Sequence, residues 1–207
     1  MQIDSIEKLR SIYGAPKERA VKKQLSALDA YCQQYLALSP FVVVASGSVE
    51  QNLDLGVAHY LDASPRGGMP GFVKLLDAHT LLIPDSPGNN RLDTLENVIR
   101  TGEVGLLFFI PGMDETLRVN GQASLHTDRQ YLDLCTSELR APKLVIRVSV
   151  REAYLHCAKA FMRSKLWSQQ SHIDRQQMPT MNEMVGAQTG INSESEQETM
   201  KRYLAEL

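Results

Sequence analysis

The chain has 207 residues, 43% of them hydrophobic and 22% charged, with a formal net charge of −2. A chain of that length buries roughly 70% of its unfolded surface, so its core needs no disulfide or metal staple. The small net charge excludes a global pull towards nucleic acid or an anionic membrane, so any bound anion must be captured by a local cluster of arginines and lysines.

Cys32, Cys135 and Cys157 are odd in number and include no CxxC pair, which argues against a disulfide framework and for a reduced cytoplasm. The opening MQIDSIEKLRSIYG lacks the apolar run of a signal peptide. The longest mostly apolar stretch, Val104 to Pro111, is too short to span a bilayer. A soluble, cytoplasmic protein with no membrane or nucleic-acid partner is expected.

From Pro16 to Leu36 the apolar positions Ala20, Val21, Leu25, Leu28, Cys32, Tyr35 and Leu36 recur every three or four residues, which predicts one amphipathic helix ended by Ser39-Pro40. Its other face carries Lys17, Arg19, Lys22 and Lys23 and reads as solvated. After Pro40 the texture changes to short β-branched or aromatic runs separated by Gly, Pro, Asp and Ser. Strand candidates are Phe41 to Ala45, Gly56 to Leu61, Gly71 to Leu76, Thr80 to Ile83, Val104 to Ile110, Glu115 to Leu125 and Lys143 to Leu155. The tight Leu76–Thr80 connection predicts a hairpin. Ile146, Val148 and Val150 alternate with Arg147, Ser149 and Arg151, as in a half-exposed strand or one facing a partner.

Leu92, Leu95, Val98 and Ile99 mark a helix closed by Gly102, and Leu132 to Leu139 marks a second candidate. Many strands and few helices predict a closed barrel with helices packed outside. Ser168 to Gln177 is polar and reads as a surface loop. Ser195-Glu196-Gln197-Glu198 reads as a capping box opening a last helix, so the tail is expected to be a helix pair. The expected organisation is one domain: an N-terminal helix over 16–39, a barrel core over 40–156 and a helical extension over 157–207.

Three segments carry candidate chemistry. In SPRGGMPGFVKLLD, Arg66 sits between Pro65 and two glycines, either gripping a phosphate or standing exposed in a hairpin turn. In PDSPGNNRLDTLENVI, Asn89 or Asn90 either caps a helix or donates to phosphate oxygens. Arg91 is placed in the first turn, where its charge opposes the helix dipole unless an anion binds. The loop lacks the GxxxxGK[ST] pattern of a nucleoside-triphosphate site. In GLLFFIPGMDETLRVNGQASL, Thr116, Arg118 and Asn120 share one strand face, which suits either the polar edge of a flavin or solvent. His156-Cys157 is too sparse for a metal site, the remaining histidines are scattered, and no Ser-His-Asp arrangement is visible.

Taken together, SPRGG-x-PGFV, TLLIPD-x-PGN-x-R, LLFFIPG-x-x-ETLRVNG and HCAKA-x-x-RS-x-LW resemble the pyridoxamine 5′-phosphate oxidase-like, FMN-binding split-barrel superfamily, and within it a bacterial subfamily of uncharacterised flavin-binding proteins. The similarity runs from about Val42 to Trp167. It implies a mainly β fold with peripheral helices, a six-stranded FMN-binding split β-barrel, and a homodimer with FMN between the subunits.

By position the resemblance puts Asn90 and Arg91, with Asn89 beside them, at the phosphate, and Ile83 and Pro84 along the flavin. It puts Thr116 near the cofactor on the strand leading into the VNG turn, with Arg118 beside it, and backbone contacts to the ring on Phe72, Val73 and Lys74. On a helix expected from Cys157 to Trp167, Lys159, Arg163 and Trp167 would cover the flavin or its phosphate from the other subunit, the first two sharing a helical face. The closing tryptophan-and-arginine motif that grips the substrate phosphate in true pyridoxamine-phosphate oxidases has no clear match in Ser168 to Leu207. The implied function is an FMN-dependent oxidoreductase of open substrate. The alternatives are a non-catalytic flavin-binding or storage protein, and a haem-binding or haem-degrading split barrel with His156 as the axial candidate.

Overall fold

A computed structural model of the chain describes residues 2–52, 56–85, 88–136, 141–191 and 194–206. Seven strands form one antiparallel sheet: β1 (Phe41–Asn52), β2 (Gly56–Gly67), β3 (Lys74–Asp77), β4 (Thr80–Pro84), β5 (Glu103–Phe109), β6 (Thr116–His126) and β7 (Val145–His156). Their order is β2-β1-β5-β6-β7-β4-β3. The count is seven, not six, because the short β3 forms its own hairpin with β4 and adds an edge to the sheet.

The expected closed barrel is also corrected, since the two edge strands β2 and β3 do not pair among the described residues. The chain between them is held elsewhere. The Gly68 amide donates to the Pro40 carbonyl and the Gly71 amide to that of Ser39. Gly71 takes φ 76° there, where a side chain would be strained.

Val42, Val44, Leu106, Phe108, Leu117, Val119, Ile146 and Val148 line the inner face of the sheet and form one buried core with Leu81 and Ile83. Leu28 and the helix α3 (Ala30–Leu38) close this core with Cys32, Tyr35 and Leu36. The helix α4 (Asp93–Thr101) adds Leu95 and Val98 and ends, as expected, at Gly102 in the left-handed conformation. The helix α5 (Arg129–Cys135) packs Cys135, Tyr131 and Leu132 on Leu82 and Val145; it starts before the expected Leu132 and ends at an extended Thr136, and residues 137–139 of the expected helix lie outside the described residues.

The single helix expected over 16–39 is instead α2 (Glu18–Lys22) and α3, preceded by α1 (Ile6–Tyr13). Between them, Leu25 and Ala153 exchange both backbone hydrogen bonds, at 2.9 and 2.8 Å, and the Leu28 amide donates to the Ala78 carbonyl. Asp29 then caps α3 by accepting from the Cys32 amide. The helical period runs unbroken through this segment, and tertiary pairing with β7 overrides it.

The VNG turn is likewise not a turn. Gly121 lies within β6 opposite a β-bulge in β7, where the register passes from Asn120–Glu152 to Gly121–Val150 and leaves Arg151 as the extra residue, and a Cβ on Gly121 would run into the Ser149 carbonyl oxygen.

C-terminal to β7 lie α6 (Lys159–Ser164), two short 3₁₀ turns within 169–177, α7 (Met181–Thr189) and α8 (Glu196–Glu206). The Ser195–Glu198 box is present, and Thr180–Glu183 opens α7 with a second one.

Candidate functional site

A row of polar contacts fixes α4 against β1 and β2. Thr94 donates to Asp62 at 2.8 Å, Asn97 to the Ser46 hydroxyl at 3.0 Å, and Thr101 to the Gly47 carbonyl at 2.9 Å. These bonds satisfy polar groups that the amphipathic pattern alone would leave exposed. They also hold the start of α4 beside the inner face of β2, which carries Tyr60, Asp62, Ser64 and Arg66 opposite Ser48, Ser46, Val44 and Val42.

A groove of about 330 Å³ opens between β2 and α4, lined by Tyr60, Asp62, Arg91, Asp93, Glu96 and Arg100 among others. Its arginines are already answered: Arg91 pairs with Asp93 at 2.8 Å and Arg100 with Glu96 at 2.9 Å. The hydrogen bond that Arg91 donates to Asp93 leads the causes that hold its guanidinium above its ordinary range.

Arg91 is not in the first helical turn. It precedes Leu92, the N-cap residue, which has no side-chain cap bond, so neither asparagine caps α4. Asn90 and Leu92 adopt left-handed φ of 58° and 60°, and Asn89 accepts from the Arg91 amide. The expected conflict with the helix dipole is thus relieved within the chain by Asp93.

Arg66 lies four residues beyond Asp62, about 13 Å along the extended strand. Its Nε is buried and has no hydrogen-bond partner among the described residues. Phe72 and Val73 fall just before β3, with Val73 buried, and Lys74 opens β3 and donates to the Gly71 carbonyl. Ile83 and Pro84 pair with Ile146 and Val145; the Ile83 side chain is in the core, so only its backbone can serve a ligand.

Thr116, Arg118 and Asn120 do share a face, the outer one, since Leu117 and Val119 are buried inside. Thr116 is buried opposite His156, whereas Arg118 is exposed and donates to the Tyr154 hydroxyl at 3.2 Å. The segment expected as one helix to Trp167 ends at Ser164, with Lys165 left-handed. Lys159 and Arg163 stay on α6 and exposed. Trp167 stacks on Phe161, which meets Phe109, and its indole donates to the Met113 carbonyl. The structure therefore gathers Arg91 with the Asp62 end of β2, and sets Arg118 and Trp167 elsewhere.

Two groupings escaped the sequence reading. Ser124, His126 and Asp128 form a hydrogen-bond chain with both links at 2.9 Å, legible only as alternate residues of one strand end. It joins the exposed end of β6 to the start of α5 and lies away from the groove. The other is a basic group around Tyr154, whose members are distant in sequence. Among the described residues, no three His, Cys, Asp or Glu side chains gather as a metal-ligand set. No described helix is long and apolar enough to cross a membrane.

The chain belongs to the pyridoxamine 5′-phosphate oxidase family, whose pattern matches residues 28–157. No curated protein matches it. Among solved structures it is similar to HupZ from Group A Streptococcus, at 17% identity and a TM-score of 0.41, over 59% of this chain and 91% of that one. A Clostridium acetobutylicum protein related to general stress protein 26 matches at 11% and 0.41, over 61% and 85%. An FMN-binding protein from Syntrophomonas wolfei matches at 10% and 0.39, over 73% and 97%.

Proposed function

We propose that the protein binds FMN between two copies of the chain and works as an FMN-dependent oxidoreductase. Membership of the family supports the cofactor class. The observation that carries the reading is the buried Nε of Arg66, which has no hydrogen-bond partner among the described residues. A buried donor without a partner is costly, and a ligand oxygen would satisfy it.

Arg91, with Asn89 and Asn90 on the same left-handed loop, would hold the phosphate beside the backbone N–H groups of α4. Its pair with Asp93 is exposed, contributes little, and yields readily to a dianion. Ile83, Pro84 and the Phe72–Lys74 segment would lie along the ring through their backbones. A bound flavin supplies the electron or hydride transfer, while the protein binds, orients and shields it.

The outer sheet face would receive the second copy. There Phe41, Val43, Ala45, Leu61, Leu107 and Phe109 form an apolar surface, with Gly47 and Gly105 letting another sheet come close. Thr116 and Arg118 border this face, so they would reach a cofactor shared with the partner, as would Lys159, Arg163 and Trp167. Three free cysteines suit a reducing, cytoplasmic setting. The absorption spectrum of the protein as purified tests the reading. Flavin bands, followed by turnover with a reduced nicotinamide, support it; bands without turnover leave a carrier; a haem Soret band or no chromophore after reconstitution with FMN rejects it.

A further inference from the structure

Lys23, Arg118 and His156 come from three distant parts of the chain and converge on one ring. The Lys23 ammonium lies 5.1 Å from the Tyr154 centroid and the Arg118 guanidinium carbon 5.9 Å from it. The His156 ring lies 5.8 Å from that of Tyr154. Lys23 donates to the Leu155 carbonyl and Arg118 to the Tyr154 hydroxyl, and no carboxylate pairs with either among the described residues.

The grouping depends on long-range structure. The break between α2 and α3 lets Leu25 pair with Ala153, and that pairing seats Lys23 beside β7. The carboxylate next along the face, Glu152, is engaged by the amides of Asn120 and Gln24 and not by the cations. Like charges held close repel, and among the described residues Glu152, the neighbouring carboxylate, forms no ion pair with either cation. Burial first, then Lys23 and Arg118, press His156 towards its neutral form.

We propose that Lys23, Arg118 and His156, set around Tyr154 at the border of the apolar sheet face, receive the anionic group, a phosphate or a carboxylate, of a small-molecule ligand. The site is separate from the groove beside α4. It moves Arg118 from the flavin's edge to the ligand that meets the flavin, and to that extent rests on the flavin reading. Anion binding itself does not require the flavin. The ammonium and guanidinium supply fixed charge, and His156 adds a proton-dependent third donor.

The test is a titration of the protein as purified with inorganic phosphate and, separately, acetate, reading the His156 imidazole resonance, which is assigned with His156→Gln. The expected result is a saturable shift with one or both anions, an upward move of the His156 titration when the anion is bound, and at least about tenfold weaker binding in Lys23→Gln. Arg118→Gln should weaken it similarly if Lys23→Gln folds poorly. FMN content, read by absorbance on the same samples, should not change in Lys23→Gln. No saturation with either anion, or unchanged affinity in both variants, overturns the proposal. A saturable, Lys23-dependent response in protein that takes up no FMN keeps this site and removes the flavin reading.

Discussion

The three thiols sit in different surroundings and should react differently. Burial pushes the Cys32 thiol up to about 12 and raises that of Cys135 as well, whereas Cys157 is exposed at the end of β7. Only the thiolate is nucleophilic, so the native protein should take up a single alkylating group rapidly at mild alkaline pH. Mass spectrometry should place that group on Cys157, with the other two labelled only after denaturation. His156 gives a second residue-scale test. Its titration is held below the ordinary 6.5, so the unfolded chain binds the proton more readily than the folded one. Stability should therefore decline as pH falls through and below about 6.5. Thermal melts of His156→Gln should lack this component; an identical pH profile would mean that His156 is as free in the folded chain as in the unfolded one.

Among the elements, α4 was legible because its apolar period, its amphipathic stripe and Gly102 all agree, and the structure adds only that it starts at Asp93. The capping box at Ser195 and the β3–β4 hairpin were legible for the same reason: local chemistry and local structure coincide. The α2–α3 break and the β-bulge between β6 and β7 were not, because each is decided by pairing with a distant strand, Ala153 of β7 for the first and the extra residue Arg151 of β7 for the second. Gly121 is the sharper case. Replacing it with alanine drives a Cβ into the Ser149 carbonyl, so β6 or β7 must move. We expect Gly121→Ala to cost about 2 kcal/mol or more by chemical denaturation, within the range seen for overpacked sites. A loss within about 0.5 kcal/mol, the ordinary surface range, would show that the bulge relaxes freely.

For the whole molecule, the family could be read from the order of motifs, and the candidate site only in part. Asn89, Asn90 and Arg91 stand on the loop before α4, with Arg91 ahead of the helix and not in its first turn, and the Asp93 pair and the carboxylates of the groove were invisible without the fold. Lys23 and Tyr154 were missed because 131 positions separate them, and no local pattern links them. The apolar outer face follows from the register, which sets the outward residues Phe41, Val43 and Ala45 of β1 beside Leu61 of β2 and Leu107 and Phe109 of β5. If this face joins two copies as proposed, the natural chain should sediment as a dimer and a charge at its centre, Ala45→Arg, should give a folded monomer. A dimer that tolerates this change would move the interface elsewhere.

The central claim is that this chain holds FMN through its phosphate at the Arg91 loop. Its most direct test is calorimetric titration of FMN and of riboflavin into the natural chain and Arg91→Ala. The natural chain should saturate at roughly one FMN per chain, as a two-fold dimer requires, with riboflavin bound more weakly. Arg91→Ala should lose roughly ten- to a hundred-fold of FMN affinity and little for riboflavin. Equal loss for both ligands, or no saturable flavin binding by the natural chain, would contradict the account.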